Sequence, residues 1–325
     1  MPLRPRLTPA IADARRAVRE CFQLPNLKGS KRVLLAVSGG PDSMALALAA
    51  GFELPKIGIE LSAAIVNHNL QEVSGEIAAQ TAERLRGIGI HSVVLEIEVP
   101  RGSDGPEAAA REARYSALER HRQEVDADFI LLGHNLNDQA ETVFLGLTRG
   151  SGLRSIAGMA TVDEKLVRPF LALEKSLLAT ACSDSGIEYW EDPHNQDDVY
   201  TRVRIRKLMH TIESELGSGI TQGLVRTAQI ASEVDEYLSL EAQELISSAT
   251  TAEGYSVLAL GAVHPALRSK ALRLVCDAHG ARSVSSAQVK AIAELITNWH
   301  GQKPLSLSGI TVERVRDQIL FRQSS

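Results

Sequence analysis

Cysteine is scarce. Only Cys21, Cys182 and Cys276 occur in 325 residues, far apart and with no CxxC pair. That spacing argues against a cysteine-based zinc or iron–sulfur centre, and the simplest setting for such a chain is a reducing cytoplasm. Aromatic residues make up 4% of the chain, so repeated base stacking is not an obvious binding mode. Excess positive charge is missing too. With a formal net charge of -5, any contact with nucleic acid must come from local basic patches. No apolar run is long enough to span a bilayer, and no charged-then-apolar segment opens the chain, so no membrane partner is expected. Neither GxxxxGK[ST] nor GxGxxG is present, which removes the Walker loop and the dinucleotide fingerprint.

The composition that remains, 44% apolar and 23% charged, is that of an ordinary globular protein. Its first part alternates two periodicities. Strand-like runs occur at "KRVLLAV" (31–37), "LSAAIVNH" (61–68), "HSVVLEIEV" (91–99) and "DFILLGH" (128–134), with a fifth candidate at "KLVRPFL" (165–171). Helical spacing fills the intervals, with Ser74 as an N-cap at 74–89 and Pro106 near the start of 106–125. Strands alternating with helices predict an α/β fold with a doubly wound, mostly parallel sheet over residues 1–215. From "YTRVRIRKLMHTIESEL" (200–216) onward the pattern turns helical and closes on "ITVERV" and "QILFRQ". This predicts a second, mainly helical domain over 216–325 with a small hairpin.

The most informative stretch is "VLLAVSGGPDS" (33–43), an apolar strand that breaks into Ser38, Gly39, Gly40, Pro41, Asp42 and Ser43 before a helix. In a doubly wound sheet such a turn lies at the carboxyl ends of the strands, where ligands bind. The two glycines let backbone N–H groups approach a phosphate. The serines add donors, and the helix N-terminus adds positive potential. Asp42 would repel that phosphate unless a cation bridges them, which implies Mg²⁺ with Asp42 as a ligand. The bland alternative, a turn that merely caps a helix, suits a lone "SGG" better than the complete "SGGPDS".

This turn resembles the SGGxDS pyrophosphate loop of the ATP pyrophosphatase superfamily, and the resemblance implies that it holds the pyrophosphate end of ATP. Further blocks follow in order: "VNHNL" (66–70), "PEAAAREARY" (106–115), "LGHNLNDQAETVFLGLTRGSG" (132–152), "RPFL" (168–171) and "YWEDPHNQDDVYTRVRIR" (189–206). Together they resemble the tRNA(Ile)-lysidine synthetase family over roughly residues 30–210. The resemblance implies activation by ATP of the first anticodon cytidine of a tRNA(Ile) carrying CAU, then displacement of AMP by free L-lysine. A homodimer is compatible with it.

The resemblance assigns Asn67 and His68 to ATP, and His134 and Asp138, with Asp42, to catalysis. Asp138 and Glu141 are three apart and can share a helix face, where carboxylates can bind Mg²⁺ or position an amine. A charged lysine amine cannot attack, so some group must take its proton; His134 can do so, or can instead bond a phosphate. Asn137 and Asp138 are both good helix caps, and capping is the role expected for Asn137. Arg111, Arg114 and Arg149 are assigned to ATP or tRNA. Arg202 and Arg206 share a helix face that suits tRNA phosphates, although pairing with the acidic "EDPHNQDD" upstream explains them equally well. The family's frequent "GHH" is "GHN" here, its "DDQ" is "NDQ", and its "RNxIR" is "RVRIR", so roles tied to those positions are not carried to Asn135, Asn137 and Val203. A tRNA thiolase with the same loop, and a non-catalytic nucleotide- or tRNA-binding protein on the same fold, are the rival readings.

Overall fold

The structure is a computed structural model that describes residues 7–67, 74–98, 106–150, 152–190 and 201–323. Among the described residues the elements run α1 (Pro9–Cys21), β1 (Arg32–Ala36), α2 (Pro41–Glu53), β2 (Glu60–Asn67), α3 (Ser74–Gly87), β3 (His91–Glu96), α4 (Pro106–Glu124), β4 (Phe129–Leu132), α5 (Leu136–Arg149), α6 (Leu153–Ile156), β5 (Val162–Asp163), β6 (Leu166–Val167), α7 (Lys175–Asp184), α8 (Thr201–Leu216), α9 (Ile220–Ala249), β7 (Tyr255–Ser256), α10 (Val257–Gly261), α11 (Pro265–Ala278), α12 (Ser286–Thr297), β8 (Leu305–Leu307), β9 (Ile310–Val315) and β10 (Gln318–Gln323). The chain divides into two compact units, one of 1–148 with 158–228 and one of 149–157 with 229–325.

The first unit holds a six-stranded sheet in the order β3-β2-β1-β4-β6-β5. All neighbours are parallel except the edge pair β5 and β6. β1 is central because both its faces are apolar. Val33 and Leu35 join the core that α1, α2, α3 and α7 cover, whereas Leu34 and Ala36 join Leu118 of α4 on the other side. Alternating side chains of one strand therefore feed two layers, as a doubly wound sheet requires. Strand order reverses between β1 and β4, which makes their carboxyl ends the switch point where ligands bind. The fifth strand expected at 165–171 is only Leu166–Val167, held parallel to β4 and backed by the antiparallel β5.

In the second unit, α11 and α12 begin at capping residues His264 and Ser285, the latter in a reciprocal capping box with Gln288. The hairpin expected at the end, β9 with β10, is part of a larger antiparallel sheet, β7-β10-β9-β8. β7 and β8 are too short to show a period of two. Ala271, Leu272, Cys276, Ile292 and Leu295 bury against Ile310, Val312 and Ile319 of that sheet. No described helix is long and apolar enough to cross a membrane.

Candidate functional site

The turn after β1 folds on its own side chains. Pro41 opens α2 behind Gly40 as N-cap, and its fixed φ suits that first helical position. Ser43 Oγ donates to the Gly40 carbonyl at 3.0 Å and accepts from the Ser38 amide at 3.2 Å, which rounds the loop. Gly39 takes φ +85°, a conformation that side chains rarely adopt. Its carbonyl accepts from the Trp190 amide at 2.9 Å, so the strand-like segment after α7 ties the loop from outside.

β4 brings the second half of the site alongside. A Cβ at Gly133 would stand 3.0 Å from the Asp42 carbonyl carbon, so the glycine of "LGH" lets two backbones touch. α5 starts immediately after. Here the structure corrects the expectation that Asn137 caps it. Asn135 Oδ1 accepts from the amides of Asn137 and Asp138 at 2.9 and 3.1 Å, and Asp138 Oδ2 accepts from the Asn135 amide at 3.0 Å. Asn137 instead turns its Oδ1 to the Lys175 amide, at the start of α7. The asparagine that stands for the family's second histidine is thus a helix cap.

On one side of the site lie carboxylates. Asp42 Oδ1 is buried without a partner among the described residues. Its pKa is pushed up to about 6 by burial and then by Asp138, against the pull of Lys175, Asn135 and Arg206. Glu141, 3% exposed, accepts from Arg206 Nε at 2.8 Å through one oxygen and leaves the other, Oε2, buried and unpartnered. Burial raises its pKa, and Arg206 only partly offsets that. Arg206 therefore serves a buried carboxylate of α5 within the protein.

The other side is cationic. His134 ends the β4 segment with Nδ1 buried and unpartnered. Its pKa is lowered to about 3 by burial and then by Arg168, Arg114, Arg111 and Arg202. The imidazole is therefore neutral near pH 7. Arg114 is itself lowered by burial, with Arg111 and Arg202 repelling it. Arg168 is the residue that sequence reasoning passed over. It is buried, donates to the Ala160 carbonyl and to Asp163, and keeps Nε without a partner. Its signal was an arginine immediately after an apolar strand, in "LVRPF".

The remaining sequence-selected residues are placed differently. Asn67 ends β2, buried, with its amide donating to Glu96 at 2.9 Å, while His68 lies outside the described residues. Arg149 is exposed at the end of α5 and belongs to the second unit. The three cysteines are free and buried, with thiols pushed up to about 12, 12 and 11, chiefly by burial. Metal ligation and sulfur chemistry need the thiolate, and these groups are thiols.

Comparison with known proteins accords with this geometry. Residues 13–212 match the family of PP-loop domains, and residues 256–320 match the TilS substrate binding domain. Curated relatives include the tRNA(Ile)-lysidine synthase of Leifsonia xyli, 45% identical over 89% of this chain and 89% of that one. The enzymes of the same name from Thermobifida fusca and Streptomyces coelicolor are 40% and 39% identical, over 95% and 92% of this chain and 96% and 87% of theirs. Among solved structures, the U34-tRNA thiolase NcsA from Methanococcus maripaludis superposes with a TM-score of 0.58 at 20% identity, over 69% of this chain and 80% of that one, which shows a shared fold. With its phosphate loop, its C-terminal substrate-binding module and relatives matched nearly end to end, the chain belongs to the tRNA(Ile)-lysidine synthase family.

Proposed function

We propose that this chain attaches lysine to C2 of the wobble cytidine in tRNA(Ile) bearing CAU, at the expense of one ATP. The observation that carries the proposal is a site of two signs. Four guanidiniums act on a neutral His134, and partly unpartnered carboxylates belong to the same site. The first suits a phosphate leaving with a base oxygen, and the second suits an incoming ammonium.

Ser38, Gly39, Gly40, Pro41 and Ser43 hold the pyrophosphate end of ATP, with Asn67 beside them. The cytidine O2 attacks the α-phosphorus, the bond to the bridging oxygen breaks, and pyrophosphate leaves. Lysine's unprotonated ε-amine then attacks C2, the C2–O bond breaks, and AMP departs with that oxygen. His134, with its low pKa, cannot store the amine's proton and acts as a hydrogen-bond partner for phosphate. Glu141 and Asp138 hold the ammonium, and a carboxylate whose pKa is raised is the better acceptor of its proton near neutral pH. Arg111, Arg114 and Arg202 stabilise the negative charge that develops on the transferred phosphate.

Asp42 and Asp138 would hold Mg²⁺, because Asp42 keeps a buried oxygen with no partner among the described residues and the two carboxylates repel each other. Among the described residues there is no cluster of His, Cys, Asp or Glu that could cage a metal unaided. That suits an ion that takes one or two carboxylates and completes its shell with phosphate oxygens and water. Bound there, it would neutralise charge on the pyrophosphate.

The test incubates the purified chain with ATP, Mg²⁺, labelled lysine and tRNA(Ile) carrying CAU, with elongator methionine tRNA as control. The expected result is a lysine adduct on the isoleucine tRNA alone, and exchange of pyrophosphate into ATP that needs tRNA but not lysine. Exchange with lysine in the absence of tRNA would move the activation to the lysine carboxylate and overturn this order of events. An added sulfur mass would revive the thiolase reading.

A further inference from the structure

α3 buries a stripe of Ala78, Thr81, Ala82 and Leu85 against the sheet, at the spacing of one helix face. Thr81 is the polar member of that stripe and is 0% exposed. A threonine in a helix ordinarily satisfies its hydroxyl by bonding back to the carbonyl four residues earlier. Thr142, Thr180, Thr211, Thr227 and Thr297 all do so here. Thr81 does not. Its Oγ1 is buried with no partner among the described residues, and it points at the phosphate loop. A Cβ built on Gly39 would stand 2.6 Å from it. Valine has the same shape and would fill this place without the polar atom. A buried hydroxyl with no partner costs stability.

We propose that Thr81 is a positioning residue of the phosphate loop: its buried hydroxyl, set against Gly39, bonds the loop's peptide there when ATP is bound. The contact acts through the loop rather than on ATP directly. A bond made with nucleotide in place raises nucleotide affinity without any additional group touching the nucleotide. The geometry also explains the glycine, since any side chain at Gly39 would displace the hydroxyl as well as strain the +85° backbone. This inference rests on the reading of Ser38 to Ser43 as the ATP loop.

The test compares the full chain with Thr81→Val, Thr81→Ala and Thr81→Ser, by thermal midpoint without and with ATP and Mg²⁺ and by the ATP dissociation constant. Thr81→Val should raise the midpoint of the nucleotide-free enzyme by about 2–4 °C, because an unpartnered hydroxyl is removed. The same variant should weaken ATP binding about 3–10-fold and shrink the ATP-induced shift. Thr81→Ala should lose the same ATP affinity, and Thr81→Ser should keep it, whatever each does to packing. In turnover the loss should appear as a raised KM for ATP with kcat and the KM for lysine unchanged. If Thr81→Val gains stability and keeps the full ATP shift, the hydroxyl is idle and the inference falls. It falls equally if Thr81→Val destabilises the nucleotide-free enzyme while Thr81→Ala binds ATP normally. If the unsubstituted chain itself shows no ATP shift, the ATP-loop reading fails first, and this inference falls with it.

Discussion

In the second unit, Arg268 is 7% exposed, and its guanidinium donates to the carbonyls of Leu260 and Gly261, at the end of α10. Arg273 likewise reaches the Val284 carbonyl, and Arg314 reaches the carbonyls of Leu295 and Ile296, at the end of α12. In the first unit, Asp42 Oδ1, Thr81 Oγ1, His134 Nδ1, Glu141 Oε2, Arg168 Nε and Gln222 Oε1 are buried with no partner. None of the partnerless buried atoms of the described residues falls in the second unit. Folding alone favours the first solution, because each buried polar group left unpaired costs free energy. Five of the six atoms in the other unit lie at the phosphate loop or at the two sides of the site, where a ligand can complete them. The second unit spends these arginines on its own backbone carbonyls, and the unit with the phosphate loop keeps valences open.

The comparison breaks most sharply at Asp42. Asp42→Asn should lower tRNA-dependent AMP release by about 10³-fold, through the loss of several kcal/mol of charge neutralisation at the pyrophosphate. The same change should stabilise the nucleotide-free enzyme at neutral pH. A carboxyl whose folded pKa is raised to about 6 favours the fold at low pH, and that contribution is lost as pH rises through 6. A rise of that size in a carboxyl pKa corresponds to about 3 kcal/mol. Urea titrations at pH 7 and pH 4 should therefore show a gain for Asp42→Asn at the higher pH that disappears at the lower. Equal activity, or a variant less stable at pH 7, would remove Asp42 from the open-valence set.

Glu141→Gln should come next. It keeps an acceptor for Arg206 but removes the charge that meets an ammonium, so the KM for lysine should rise about 10–100-fold, the equivalent of one charge-assisted bond. Steady-state kinetics at saturating tRNA and ATP would show this, and the KM for ATP should stay the same. An unchanged lysine KM would place the amine elsewhere.

Arg268→Met sharpens the contrast from the other side. It strips the donors from the Leu260 and Gly261 carbonyls and should cost about 2 kcal/mol of stability, with kcat per folded molecule unchanged. A loss of kcat without a loss of stability would show that the second unit, too, holds open chemistry. Per site, the smallest effect belongs to the thiols. Changing Cys21, Cys182 and Cys276 together to alanine should cost roughly 1 kcal/mol per site and leave lysine transfer within about twofold. Lost chemistry in a folded triple variant, with metal in the parent protein, would reopen the thiolase reading.

Much of the first unit was legible because its signals are long. β1 is an apolar run that ends in glycines, and Pro106 opens helix 106–124; Ser74, expected as a cap, is instead the first residue of helix 74–87. The loop chemistry could be read from Ser38 to Ser43 alone. What escaped is short or non-local. The first helix, Pro9–Cys21, carries Arg15, Arg16 and Arg19 among its apolar residues, and its capping Thr8 stands behind a basic, proline-rich start. β5, β7 and β8 have two or three residues each and exist by pairing with neighbours. Asn135 and Asn137 are equally good caps on paper, and the structure starts α5 at Leu136, which makes Asn135 the cap and leaves Asn137 to accept from the Lys175 amide. The burial of Arg168 and the orientation of Thr81 depend on distant packing, and no local pattern encodes either.

The position of β1 has a consequence for how the chain is born. Its register partners are Glu60–Ala64 on one edge and Phe129–Leu132 on the other. A ribosome adding about 5–20 residues per second completes the β1–β2 pair several seconds before β4 emerges. For that interval β1, apolar on both faces, offers a bare hydrogen-bonding edge, and the backbone contact between Gly133 and Asp42 cannot form. The enzyme's two chemical segments therefore come together late in synthesis. A nascent chain arrested before Leu132 should be protease-sensitive and sticky, and one arrested well beyond it should be neither.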